Sequence, residues 1–203
     1  MRSRVLHPRG VLLVAMACFV ALALTAVLET AVALDTALRE ALLALASPPL
    51  VALMRVVNLG GDKLVLAPAT LLLFVAFPRA RDRWWVWIGL MVAAPAVEGL
   101  LKEVIGRPRP EGLGFGFPSG HATAAAAFFG AVVYLAGSLR SRCACLTVRA
   151  LALVLLVLVA LARVILRAHW PSDALGGVAL GLTLAATAAL LASAPRVQMN
   201  LRG

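Results

Sequence analysis

The chain alternates long apolar runs with short polar stretches. Six runs stand out: Val11–Leu28, Leu64–Phe77, Trp84–Leu101, Ala122–Ser138, Ala150–Leu166 and Ala174–Ala194. A helix that crosses a bilayer needs about 20 apolar residues, with a range of about 17–25. The first, third, fifth and sixth runs reach or approach that length. The second is shorter and holds Pro68, and the pattern extends it back toward Gly60. Between the first and second runs, LDTALREALLALASPPLVALMRVV repeats apolar residues at three- and four-residue spacing, with Asp35, Arg39 and Glu40 on another face. Pro48-Pro49 interrupts it. This reads as one or two helices lying in the membrane interface. Trp84, Trp85 and Trp87 open the third run as an aromatic belt would. The predicted fold is an all-α integral membrane protein with six transmembrane helices and one or two interfacial helices between the first and second. Residues 1–203 form a single domain.

Composition strengthens this reading. The 203 residues are 63% hydrophobic and 14% charged, with a mean hydropathy of +0.98. Soluble domains carry about 25% charged residues, so a water-soluble fold is excluded. The net charge of +10 would suit a nucleic-acid partner if it were gathered on one face. Here the arginines occupy short stretches between apolar runs, which is how membrane topology is written. Arg2, Arg4 and Arg9 precede the first run. Arg79, Arg81 and Arg83 separate the second from the third. Arg140, Arg142 and Arg149 separate the fourth from the fifth, and Arg196 and Arg202 follow the sixth. If all six runs span, these eleven share one side and the remaining eight the other. Five of the eight, Lys102, Arg107, Arg109, Arg163 and Arg167, read as held by a site. The rule that positive loops stay inside puts both termini in the cytoplasm. It puts the segments around residues 102–110, 118–121 and 162–177 on the outer face. Rich Ala, Arg and Leu usage suits a GC-rich bacterium and therefore its plasma (inner) membrane. The N-terminus resembles a signal peptide, with Ala31-Val32-Ala33 as a cleavage site. Its apolar run of 18 residues exceeds the usual 7–15, and it reads as a retained helix. Cys18, Cys143 and Cys145 match no zinc or disulfide spacing and read as reduced thiols.

Three outward stretches are too polar for their surroundings. In KEVIGRPRP, Lys102 closes the third run and Arg109 follows seven residues later, with Pro108 and Pro110 stopping the helix. Taken alone, both cations could be snorkelling charges, and Glu98 could pair with Lys102 at i,i+4. In PSGH, Pro118 forces the helix to begin after it, Ser119 is placed as its N-cap, and Gly120 admits close approach. The orphan N–H groups and the positive dipole end make an anion site there, with His121 in the first turn. In ARVILRAHWPSDALGG, Asp173 follows His169 by four residues at another proline-started helix. An ionised Asp173 could orient the His169 imidazole and leave its other nitrogen free to attack. Taken singly, each stretch also reads as an ordinary capped helix or a surface histidine. Together they gather two histidines, a carboxylate, three cations and a helix N-terminus on one side. Such a set suits phosphoryl transfer.

In this order, Lys102-x6-Arg109-Pro110, Pro118-Ser119-Gly120-His121 and Arg163-x5-His169-x3-Asp173 resemble the type 2 phosphatidic acid phosphatases, or lipid phosphate phosphatases. The resemblance implies His169 as nucleophile forming a phosphohistidine, Asp173 as its orienting carboxylate and His121 as general acid. It implies that Lys102, Arg109, Ser119, Gly120 and Arg163 bind the phosphate, with no metal and no other cofactor. The chain departs from the family's usual Ser before Arg163, carrying Ala162, which predicts mildly lower activity. The implied substrate is a lipid phosphate or diphosphate, with undecaprenyl diphosphate favoured over phosphatidate and phosphatidylglycerol phosphate. A lipid phosphotransferase and a non-enzymatic anion transporter or scaffold remain alternatives.

Overall fold

The computed structural model describes residues 7–194. Arg2, Arg4, Arg196 and Arg202 of the topology count lie outside the described residues. Nine α-helices follow in chain order among them: α1 Pro8–Val27, α2 Val32–Ala44, α3 Pro48–Asn58, α4 Lys63–Ala76, α5 Pro78–Arg81, α6 Trp84–Ile105, α7 Gly120–Leu135, α8 Arg142–Ile165 and α9 Pro171–Ser193. Short 3-10 turns at Leu59–Gly61 and Ala136–Ser138 extend α3 and α7. The described residues hold one isolated β-bridge, Pro108 with Phe115.

The chain is a multi-pass membrane protein. Helices α1, α6, α7 with its 3-10 extension, α8 and α9 are each long and apolar enough to cross a bilayer. The other two expected features take different forms. The segment read as interfacial is two helices, α2 and the α3 unit, bent by 114° at a break before Pro48. The short second run is α4, with 14 residues, or roughly 21 Å of helix against a hydrocarbon core of about 30 Å. It does not continue back to Gly60, because the Asp62 side chain caps it by accepting from Leu64 N at 2.8 Å. Asp35 of α2 and Asn58 of α3 both reach the end of the bundle where α8 gives way to α9, whereas Arg79 beyond α4 lies beside Arg83 at the other, so α4 carries the chain between the two ends.

Helices α7 and α9 pack along each other at the centre. Helices α1 and α6 lie against α9, α8 lies against α7, and α3 runs along α8. Lipid offers no hydrophobic force between apolar helices, so close packing of small residues must hold the bundle. The α7–α9 seam shows this directly. A methyl group at Gly177 would sit 2.5 Å from the Ser119 carbonyl and 2.9 Å from Ala122 Cβ. Facing it, Ala122, Ala125, Ala126 and Ala127 are buried. The expected aromatic belt is only two residues wide. Trp84 and Trp85 are exposed, whereas Trp87 turns into the bundle against Tyr134, 5.8 Å between ring centroids. None of Cys18, Cys143 and Cys145 is in a disulfide.

The order of the long helices positions the site. Gly106, in the left-handed region at φ 66°, ends α6 by donating its N–H to the Lys102 carbonyl. The C-termini of α6 and α8 and the N-termini of α7 and α9 then share one end of the bundle.

Candidate active site

Between α8 and α9 the chain turns through Arg167, at φ 62°, and presents His169. Pro171 opens α9 at a position where its missing N–H costs nothing. Asp173 then stands in the first turn, at the positive end of the helix. Its Oδ2 accepts from Trp170 N at 3.1 Å and lies 3.4 Å from His169 Nδ1, slightly beyond a well-formed hydrogen bond. Catalytic contacts of this kind tighten when substrate arrives. Both side chains are enclosed: His169 is 2% exposed and Asp173 fully buried. Burial pushes the His169 imidazole below its ordinary range, and the Arg163 and Lys102 charges act in the same direction. The adjacent Asp173 carboxylate opposes them.

The start of α7 lies directly beside this pair, because Ser119 N donates to the Asp173 carbonyl at 3.0 Å. Ser119 occupies the N-cap position with extended backbone, as expected. Its hydroxyl, however, makes no capping bond and is buried without a partner. A methyl group at Gly120 would meet the Glu98 carboxylate at 3.0 Å. His121 is backed by the 3-10 turn of Leu59–Gly61: a methyl group at Gly61 would lie 2.6 Å from the His121 carbonyl. Only glycine permits that approach.

The cations come from three elements. Lys102 pairs with Glu98 one turn earlier, the simple pairing that the i,i+4 spacing allows. Arg163 donates from Nη1 to Asn58 Oδ1 at 2.6 Å, and its Nε is buried without a partner. Arg109 donates from Nε to the Phe115 carbonyl at 3.1 Å, and its charge reaches Arg163. Thus His169, Asp173, His121, Lys102, Arg109, Ser119, Gly120 and Arg163 all converge at one end of the bundle. Donors crowd there: two like-charged guanidiniums, an unsatisfied Arg163 Nε and the open N-terminus of α7. This is the electrostatics of an anion site.

The family model of the PAP2 superfamily matches residues 111–196. A crystal structure of a transmembrane PAP2-type phosphatidylglycerolphosphate phosphatase from Bacillus subtilis matches this fold with a TM-score of 0.77 at 26% identity. The match covers 91% of this chain and 94% of that one. Over residues 111–196, then, this chain is similar to the PAP2 superfamily, and its fold is similar to that of a PAP2-type phosphatase. It is also 34% identical over 122 residues to decaprenylphosphoryl-5-phosphoribose phosphatase of Mycobacterium tuberculosis, in two strains. That match covers 55% of this chain and 63% of the relative, so the chain spans less than two thirds of that relative's length.

Behind the PAP2 motifs lies a second layer that sequence reasoning did not find. Arg107 was counted among the cations held by the site, yet it is 7% exposed and committed to carboxylates around the first turn of α9. It donates to Asp173 Oδ1 at 2.9 Å, to Ser172 Oγ at 2.6 Å and to Asp35 Oδ2 at 2.6 Å. Asp35 also accepts from Ser172 N at 2.8 Å. The periodicity placed Asp35 on the polar face of an interfacial helix. The structure buries it at 2% exposure, because it balances Arg107. A carboxylate within an apolar stretch of a membrane protein was the available signal. Glu98 and Asn58 hold Lys102 and Arg163 by polar contacts, and Gly61 makes room for the His121 backbone. Ala162, the departure from the family pattern, is fully buried in an apolar cluster with Met54 and Ile165. Met54, Leu50, Val51 and Val57 of that cluster belong to α3.

Proposed function

We propose that this PAP2 protein is a phosphatase of lipid phosphates or diphosphates, acting at the outer face of a bacterial plasma membrane with both termini in the cytoplasm. The observation that carries the reading is the junction of α7 and α9. There a buried His169–Asp173 pair adjoins an open helix N-terminus, and the two are tied by the Ser119–Asp173 backbone bond. His169 attacks phosphorus through Nε2 while Asp173 orients Nδ1. As the P–N bond forms, the bond from phosphorus to the leaving oxygen breaks, and His121 protonates that oxygen. Water then attacks the phosphohistidine with His121 as base, releasing orthophosphate. Arg109, Arg163, Lys102, the Ser119 hydroxyl and the Gly120 N–H hold the phosphate oxygens and stabilise the charge that develops on them.

A site at the ends of membrane helices lets an apolar tail stay in the bilayer while the phosphate enters. Both relatives support a lipid substrate. One is named for a decaprenyl-linked phosphate and the other for a glycerolipid phosphate. A polyprenyl carrier is our first choice, and undecaprenyl diphosphate the specific candidate. In detergent micelles containing EDTA, orthophosphate is expected to leave undecaprenyl diphosphate faster than phosphatidylglycerol phosphate or phosphatidate. An equal or reversed order would overturn the substrate choice, and no release from any of the three would overturn the activity.

The pH profile gives an independent check. His169 titrates below its ordinary value of 6.5, so its neutral, nucleophilic form persists as the pH falls past that point. The acid limb of kcat/KM is expected below pH 6.5. Asp173 raises the imidazole pKa, so Asp173→Asn should move the limb further down while lowering the rate. A limb that moves up in that variant would contradict the assigned contact.

A further inference from the structure

The opposite end of the bundle carries a second feature that this chemistry does not use. A cavity of about 370 Å³ opens there, walled by Arg79, Arg83, Arg149, Trp87, Tyr134 and the Asp82 carboxylate, among others. It shares Pro8, Tyr134 and Arg149 with a second cavity of about 350 Å³. That second cavity runs as an apolar groove between α7, α8 and α9, past Val133, Leu153, Leu156, Leu182 and Ala186. Lys102 lies 19 residues along α6 from Arg83, so roughly 28 Å of helix separates this pocket from the candidate active site.

The polar wall is rich in donors. Arg83 gives one bond to the Ala194 carbonyl and Arg149 one to the Val133 carbonyl, but a guanidinium carries five N–H donors. The Trp87 indole N–H, on a side chain only 2% exposed, has no acceptor. Burying such a donor is costly unless something accepts from it. Arg149 itself sits two turns inside the membrane-spanning helix α8, where an isolated charge usually marks a site. Around the pocket, the described residues of this end hold seven arginines and one carboxylate, Asp82. A donor-lined pocket continuous with an apolar groove is a shape for an amphiphile with an anionic head.

We propose that this pocket binds one anionic phospholipid, its phosphate between Arg83, Arg149 and Trp87 and an acyl chain along the α7–α8–α9 groove. A free anion would use the arginines but not the groove, so the groove selects the lipid. The lipid would bridge α6, α7 and α8 at the end remote from the phosphate chemistry.

Native mass spectrometry tests this on the full chain, purified in detergent with equimolar dioleoyl phosphatidylglycerol and dioleoyl phosphatidylcholine. The parent protein is expected to retain one phosphatidylglycerol with about tenfold preference, as arginines near an anionic head group do. His169→Ala should keep that preference, since its site is elsewhere. The double variant Arg83→Gln/Arg149→Gln should reduce it to about twofold or less, on the same electrostatic basis. Leu153→Trp, at an exposed groove position, leaves every arginine in place and should weaken retention by blocking the chain. A phosphatidylglycerol with a diazirine in its acyl chain should label α7, α8 or α9 beside the groove in the parent protein, which needs no variant to fold. Equal retention of the two lipids, a preference that survives the double variant, displacement by 10 mM inorganic phosphate (about the upper end of competing free anion), or labelling confined to other helices would each overturn the proposal.

Discussion

Replacing His169 with alanine is expected to lower phosphate release by about a thousandfold or more, the scale seen when a covalent nucleophile is removed. Among the described residues, no other histidine pairs with Asp173. His121 is the second histidine at the site, but it stands in the first turn of α7, across the junction from Asp173's partner. His121→Ala should cost about a hundredfold to ten-thousandfold, the usual range for a general acid. The two variants then separate by mechanism. With a substrate whose leaving group needs no proton, such as p-nitrophenyl phosphate, the initial burst of p-nitrophenolate should survive in His121→Ala and vanish in His169→Ala. Acid-stable quench conditions are wrong for phosphohistidine, so trapping must be done in alkali. There a labelled phosphoprotein should be found in His121→Ala and be missing from His169→Ala. Activity retained in His169→Ala would remove the nucleophile assignment altogether.

The second large effect is expected at Arg107, which the proposed reaction never touches. Its guanidinium neutralises Asp35 and Asp173 at once, both nearly or fully buried. Breaking a buried ion pair by removing one partner costs about 3–5 kcal/mol, because the remaining charge is left uncompensated. Arg107→Met strands two carboxylates and should destabilise more than Asp35→Asn, which leaves Arg107 its bond to Asp173. Because Arg107 reaches the chemistry only through Asp173, its loss should appear in kcat with KM little changed. A displacement of about 1 Å at a catalytic group costs roughly a hundredfold. The pairing makes a further demand. Arg107→Met combined with Asp35→Leu should recover part of the stability that Arg107→Met loses, since an apolar pair of similar volume replaces a buried ion pair at little cost. Thermal unfolding in detergent reads the first effect, and steady-state kinetics the second. A raised KM at unchanged kcat would instead place Arg107 on the phosphate. The nearby Arg39–Glu111–Arg167 cluster supplies the contrast. Glu111 and Arg167 are exposed there, solvent and salt screen the pairs, and Glu111→Gln should leave the melting temperature unchanged.

Much of the site was legible because its signals are local. Pro171 opens α9 and Pro118 stands just before the Ser119 N-cap of α7, so the anion-binding start of α7 and the first-turn position of Asp173 could be read directly. The four-residue step from His169 to Asp173 brings them together across that start without help from the rest of the chain. Alternation of apolar runs put the three motifs on one side, and the bundle keeps them there. What could not be read was the rotation of each helix about its axis. In water, an amphipathic stripe declares which face is buried. In a bilayer both faces are apolar, and the interface is chosen by small residues that permit contact. For this reason Trp87 turned inward when Trp84 and Trp85 did not. Ala162 likewise came to face α3.

Hydropathy and motif spacing alone were enough for the class of fold, for the gathering of the motifs at one end of the bundle and for the residue types offered to a phosphate. Each follows from hydropathy, from proline and glycine, or from spacing within a single turn. Only the tertiary structure decided which charges face one another. Asp35 lies 72 residues before Arg107 and 138 before Asp173, and no periodicity links them. Their pairing exists because the bent α2–α3 unit carries Asp35 to the start of α9. Likewise, Arg163 finds its partner Asn58 on α3, 105 residues earlier. A buried charge is satisfied by whichever partner the packing brings within reach, and that is a property of the whole bundle.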